Sequence, residues 1–351
     1  MRHRFKILAG IAAATFAAPL AAQTTPIYTL ESATTLPSTD TDWDYIQLEP
    51  HGNRLFIARR KDGLTVYNVD TNKVVGTVAN SVGANGSVLL PEYNRGYTAM
   101  TDGSLLSFNL KTLAVIDRIK LADDGGLNTV SYDPATKRLQ AVVGARTAES
   151  AWFTLDAATG KLLGKTVFPF KKMDGPSPDG KGTLWAPARY DNILLKLDSK
   201  TLKETARYNI DCVQVVAVEY HHATDRILIG CRGDKPVFIA LDPATGKQIA
   251  KLPIGSGIDG MQIDEKRGHI LMSNGGNSSL TVVKRNSADS YTLLGNVQTR
   301  PQARTMAIDE RNGKAYIVTA DATFPGPDDK GVTPAPYFHP NSFVVLTYAP
   351  K

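Results

Sequence analysis

The sequence predicts an all-β fold: a seven-bladed β-propeller of four-stranded antiparallel blades, with its ring closed by an N-terminal strand. Three observations predict it. A short apolar strand recurs at a near-constant interval, a tight-turn motif recurs in a second register, and no segment sustains the 3.6-residue period of an amphipathic helix.

The first register is the position that opens a short strand after each polar turn. It falls at Leu55, Gly96, Leu139, Leu184, Ile227, Ile270 and Ala315, at intervals of 41, 43, 45, 43, 43 and 45 residues. The strands there read Leu55-Phe56-Ile57-Ala58, Ile227-Leu228-Ile229-Gly230 and Ala315-Tyr316-Ile317-Val318. They are β-branched or aromatic and bounded by Asn, Gly and Asp, as strands are. The second register is an apolar residue, then Asn or Asp, two more residues, then Thr. It recurs at Tyr67-Asn68 with Thr71, Phe108-Asn109 with Thr112, Leu155-Asp156 with Thr159, Leu197-Asp198 with Thr201 and Leu241-Asp242 with Thr245. An Asx side chain bonds the backbone two residues on and starts a tight turn, and the Thr closes it. Gly160 and Gly246 supply positive φ in two of these hairpins. Each unit of about 43 residues is then one blade.

Seven units fit, and the last is one strand short. Only Phe343-Val344-Val345-Leu346 follows before Pro350 and Lys351. The segment Ile27-Tyr28-Thr29-Leu30, continuing to Leu36, is otherwise unpaired and is expected to supply the missing strand. Closure removes the sheet edges that an open array would present.

At the N-terminus, Arg2, Arg4 and Lys6 precede an apolar run over 7–18 and the small residues of Pro19-Leu20-Ala21-Ala22. That is the layout of a secretory signal peptide cleaved near Ala22. The expectation is export to the periplasm, with residues 1–22 removed and 23–351 forming one propeller domain, a monomer without stable membrane insertion. The formal net charge of +6 falls to +3 once the three leader cations are gone. So small an excess does not by itself point to nucleic acid.

Cys212 and Cys231 are the only cysteines, and in an oxidising compartment two thiols are expected to pair. Cys212 just precedes the strand over 215–220, and Cys231 ends the strand that returns from a hairpin near Ala223. Residue 231 should lie opposite residue 215, which brings both sulfurs to the same end of the blade.

The chain resembles the YVTN-repeat periplasmic propellers of the YncE type over essentially its whole mature length. Tyr316-Ile317-Val318-Thr319 and Asp242-Pro243-Ala244-Thr245-Gly246-Lys247 carry the likeness, although the literal Tyr-Val-Thr-Asn tetrapeptide is absent. The resemblance implies a seven-bladed binding or scaffolding protein, and the family has no defining catalytic motif.

Propeller geometry places the inter-blade loops and the loops between second and third strands on one face. Those loops carry Arg59, Arg60, Lys61, Arg146, Lys171, Lys172, Arg189, Arg232, Arg300 and Arg304. The functional reading is a site for an anion at one mouth of the channel. The alternative is ordinary solvated loop charge, since Asp62, Asp123, Asp124 and Asp234 offset the cations. A long Pro-rich stretch over 320–342 projects on this face and carries an aromatic tip at Tyr337-Phe338-His339, a lid or a packed flap. The expected partner is an anionic small molecule, single-stranded nucleic acid or an envelope protein.

An oxygen-rich ring gives the enzyme alternative. Asp44, Asn85, Asn128, about Asp174, Val216, Asp259 and Arg304 stack at the start of the innermost strands. Asp44, Asn85, Asn128 and Asp259 could supply oxygens to Ca²⁺, an arrangement similar to that of propeller lactonases and implying a lactonase or lyase. Other motifs fail. The literal G-x-G-x-x-G at 255–260 runs into a strand rather than a helix. The calcium-loop start at Asp40 has Tyr45 where Gly is required. His221 and His222 sit on a turn of the opposite face, expected to be exposed, and neither a nucleophile elbow nor H-E-x-x-H occurs. No cofactor is predicted, and no catalytic pair can be named.

Overall fold

The structure is a computed structural model that describes residues 26–351; the leader expected at 1–22 lies outside the described residues. Seven four-stranded antiparallel sheets form the blades. Blade 1 is Trp43–Leu48, Arg54–Arg59, Gly63–Asn68 and Lys73–Thr77. Blade 2 is Ala84–Leu90, Arg95–Met100, Ser104–Asn109 and Val115–Lys120, and blade 3 is Leu127–Asp133, Arg138–Val143, Ser150–Asp156 and Leu162–Phe168. Blade 4 follows as Ser177–Pro178, Thr183–Ala188, Ile193–Asp198 and Glu204–Asn209, and blade 5 as Val215–His221, Arg226–Cys231, Val237–Leu241 and Gln248–Pro253. Blade 6 is Ile258–Asp264, His269–Asn274, Ser279–Ser287 and Ser290–Gln298.

Blade 7 shows the closure expected from the sequence. Met306–Asp309, Lys314–Thr319 and Val344–Pro350 come from the C-terminal end, and Tyr28–Thr35 completes the sheet as its outermost strand. Tyr28 pairs with Pro350 and Thr35 with Val344. Every first-register position falls on a second strand, whose side chains are buried on both faces between neighbouring blades. Leu55, Phe56, Ile57 and Ala58 have no exposed surface. Seven hydrophobic clusters fill the seven blade–blade interfaces, so removing any one blade would strip two of them. Each large apolar side chain buried there contributes about 1.5–3 kcal/mol.

The Asx turns form as expected. The Asn68 carboxamide oxygen accepts from the backbone of Asp70 and Thr71, and the Asp242 carboxylate accepts from Ala244, Thr245 and the Thr245 hydroxyl. The residue after the Thr is left-handed in all five: Asn72, Leu113, Gly160, Leu202 and Gly246. Two leucines therefore accept a conformation that glycine adopts without strain. Gly96 stands where the other repeats have a side chain because a Cβ there would meet the Phe108 ring at 2.2 Å.

Blade 4 departs from the pattern. Its innermost strand shrinks to Ser177–Pro178, preceded by a bridge between Met173 and Ala188, because Pro176 and Pro178 cannot donate to the ladder. In blade 7 the Pro-rich insertion leaves the ring as a short ribbon in which Ala322–Thr323 pairs with Tyr337–Phe338. Phe338 packs at 4.8 Å on Trp43, so the base of the insertion is anchored while Tyr337 and Phe324 stay exposed. Among the described residues, no helix is long and apolar enough to cross a membrane.

Candidate functional site

The inner strands begin at the loop face, and five carry their ring position there, while Asp174 and Arg304 lie just ahead of theirs. Blade 5 has Val216 at that position; the other blades build a network of ion pairs and hydrogen bonds. Arg60 reaches Asp42, Asp44 at 2.8 Å and the Asn85 oxygen at 2.9 Å, bridging blades 1 and 2. Asn85 in turn donates to the Asn128 carbonyl of blade 3 at 2.8 Å. Arg189 grips Asp174 with two bonds of 2.6 and 2.8 Å, and Lys172 lies 3.6 Å from the same carboxylate. Arg232 of blade 5 pairs with Asp259 of blade 6 at 2.6 Å and donates to the Ile258 carbonyl. Arg304 of blade 7 spans Asp259 at 3.3 Å, Asp42 at 3.4 Å and the Trp43 carbonyl at 2.7 Å, with its guanidinium 5.3 Å over the Trp43 ring.

Five predicted cations thus converge on the mouth: Arg60, Lys172, Arg189, Arg232 and Arg304. The others do not. Arg59 is 4% exposed and serves the fold, donating to the Pro37 carbonyl and Asp62 beneath the Phe343 ring. Arg146 pairs at 2.9 Å with exposed Asp124, Lys171 is exposed, and Tyr337 rides on the insertion. Each converging cation has a carboxylate partner, usually supplied by another strand or the next blade.

Burial alters these groups. Asp44 is pushed up to about 6, by burial and then by the Asp259 carboxylate, against the opposing pull of Arg304 and Arg60. Burial also lowers the Lys172 ammonium below its ordinary value, with Asp174 opposing. Tyr45 is raised far above the usual phenol range by burial, then by Asp259, Asp44 and Asp174.

The oxygens do not fit a calcium ion. Asp44, Asp259 and the Asn85 oxygen already receive guanidinium hydrogens, and Asn128 buries an unpartnered amide nitrogen. A divalent cation would sit against four arginines. Among the described residues, no group of three His, Cys, Asp or Glu converges to hold a metal.

The disulfide forms as the hairpin register requires. Val215 pairs with Cys231, and Cys212 bonds to Cys231 across a Cα separation of 6.2 Å. On the opposite face, one expectation is corrected. His222 is exposed, but His221 is buried, and its ring nitrogens meet the Thr224 hydroxyl and, at 2.6 Å, Glu265 of blade 6. It ties two blades together, and burial lowers its pKa against the pull of Glu265.

Sequence reasoning gave no site role to Asp42, Tyr45 or Glu219. Tyr45 and Glu219 line the channel cavity with Asp174 and Asp259. No spacing signal pointed to Glu219: strict alternation turns the third residue past the ring position away, and the bulge between Val215 and Ala217 brings it back to the cavity.

No family model matches the chain, and no curated protein matches it. Solved structures do. A chain in the crystal structure of a mitotic checkpoint complex superposes with a TM-score of 0.73 at 12% identity, covering 99% of both chains. Hydrazine synthase of Kuenenia stuttgartiensis gives 0.66 at 18% identity over 80% of this chain and 93% of that one. The β-propeller domain of Myceliophteria thermophila Cps50 (Swd1) gives 0.70 at 8% identity over 92% and 100%. At such identities the shared property is architecture, and the chain is a seven-bladed β-propeller.

Proposed function

We propose that this chain is an exported, non-catalytic propeller of the YVTN-repeat kind that docks an acidic segment of an envelope protein across the mouth of its channel. One observation carries the reading. Five cationic side chains converge there on four carboxylates, Asp42, Asp44, Asp174 and Asp259. The excess lies on blade 4, where Lys172 and Arg189 share Asp174. Low-dielectric walls focus the field of such an excess. A rim of exposed apolar side chains on the same face, among them Val82, Tyr190, Val213 and Tyr337, supports a protein partner over a small ion. One of the architectural neighbours is a chain of a multi-protein complex.

Fluorescence anisotropy with a labelled Asp- and Glu-rich peptide tests this, with inorganic phosphate and a labelled oligothymidylate as competing probes. The peptide should bind saturably, weaken steeply as salt rises, and lose about tenfold in affinity in Arg189→Ala, which leaves Asp174 less compensated. Binding that ignores both salt and Arg189→Ala would defeat the proposal. Tighter binding of the oligonucleotide than of the peptide would replace the partner class.

A further inference from the structure

Below the mouth the channel changes character. Three residues past the ring position, the inner strands Trp43–Leu48, Val215–His221 and Ile258–Asp264 place Gln47, Glu219 and Gln262. At about 3.3 Å per strand residue this layer lies roughly 10 Å deeper. All three residues line one cavity of about 200 Å³. Glu219 is open to the lumen but walled by the blades, and among the described residues it has no hydrogen-bond or ion-pair partner. The blade walls crowding the channel around it, with no charge opposing, push its carboxyl up to about 7. The cations above it are already engaged, Arg189 by Asp174 and Arg232 and Arg304 by Asp259.

We infer that Glu219 anchors a binding site inside the channel for a small primary ammonium ion, with the carboxamide oxygens of Gln47 and Gln262 completing it. The donor count carries the choice of ligand. A primary ammonium brings one positive charge and three N–H donors, and the layer offers one carboxylate and two carboxamide oxygens. Calcium needs six to eight oxygens, and the other carboxylates on the cavity wall, Asp174 and Asp259, are already paired with guanidiniums, which leaves only Glu219 to offset its charge.

Entry of the ion ionises Glu219 and sends its proton to solvent, so binding should strengthen as pH rises toward 8. Of the groups that face Glu219 from above, Tyr45 stays protonated, and Asp174 and Asp259 are paired with guanidiniums. Asp44, at about 6, titrates lower and faces Arg60.

Isothermal titration calorimetry of the mature protein with n-propylammonium chloride tests the site. One site is expected, about tenfold weaker at pH 6 than at pH 8, with proton release at pH 6 visible in buffers of different ionisation enthalpy. Glu219→Gln keeps the shape of the side chain and should lose at least about tenfold at pH 8. Equal binding by that variant, or no saturable binding by the folded wild type at pH 8, would overturn the site. Calcium chloride binding in preference to n-propylammonium, and lost in Glu219→Gln, would overturn the ligand class. Should that variant fail to fold, Gln47→Leu with Gln262→Leu should weaken binding about fivefold, and unchanged binding there counts against the site. The acidic-peptide measurement at the mouth is separate, so either reading can fail alone.

Discussion

The mouth of the channel and the lumen beneath it treat charge in opposite ways. At the mouth every converging cation meets a carboxylate, and two of the pairs cross between blades: Arg232 of blade 5 with Asp259 of blade 6, Arg304 of blade 7 with Asp42 of blade 1. In the lumen Glu219 stands alone. Both carboxyls are raised by burial, Asp44 to about 6 and Glu219 to about 7, but only Asp44 has guanidiniums pulling it back. A paired group at this depth holds the ring together. An unpaired one is poised to take up a ligand.

The comparison depends on the ring being closed, so its most severe test is to open it. Deleting residues 27–36 removes Tyr28–Thr35 from blade 7 and strips the outermost edge off Val344–Pro350. Loss of cooperative unfolding, with aggregation on size-exclusion chromatography, is the expected outcome. A truncated chain with an unchanged melting curve would mean that the ion pairs between blades 7 and 1 suffice for closure.

Next in size is the contrast between buried and rim pairs. Asp259→Ala leaves Arg232 and Arg304 with one carboxylate fewer, both side chains being at most a quarter exposed. Stranding buried charge in this way costs about 3–5 kcal/mol. Arg146→Ala breaks a pair whose carboxylate is 70% exposed and should cost under about 1 kcal/mol. Urea denaturation of the two variants reads the difference, and equal losses would erase the distinction drawn here between mouth and rim.

Local chemistry made the blades legible in the sequence. Asn68, Asp156 and Asp242 form their turns with residues two and three positions away, and Leu55 and its equivalents are buried because they sit on the second strand of each repeat. The hairpin register was equally local, which is why the Cys212–Cys231 bond could be placed from the turn near Ala223. The mouth was only half legible. Repeat alignment found the cations, but whether a loop arginine is free depends on a carboxylate from another loop or another blade, which no spacing rule reports. Arg59 shows the limit: it occupies the loop position of a ligand contact yet is buried under Phe343. His221 shows it again, its exposure reversed by Glu265 from the neighbouring blade.

The smallest effect isolates the lumen. Glu219 has a folded-state pKa of about 7 against an ordinary value of 4.5. Between those two values the folded state holds the proton that the unfolded chain releases. Wild-type stability from this group is therefore full below about pH 4.5, declines as pH rises to 7, and is flat above. Glu219→Gln removes that decline. At pH 4 the variant and the wild type should melt together, because both side chains are then neutral in both states. At pH 8 the variant should be the more stable by about 1 kcal/mol, a figure discounted for water in the channel, or about 1–2 °C in melting temperature. His221 and Asp102 titrate alike in both proteins, so their contributions cancel in the difference. Burial lowers the first, and the second is held at about 2 by Ser104 and Arg118 against the opposing effect of burial. A difference that is constant with pH would mean that Glu219 is as well solvated as a surface carboxylate, and the contrast between mouth and lumen would collapse.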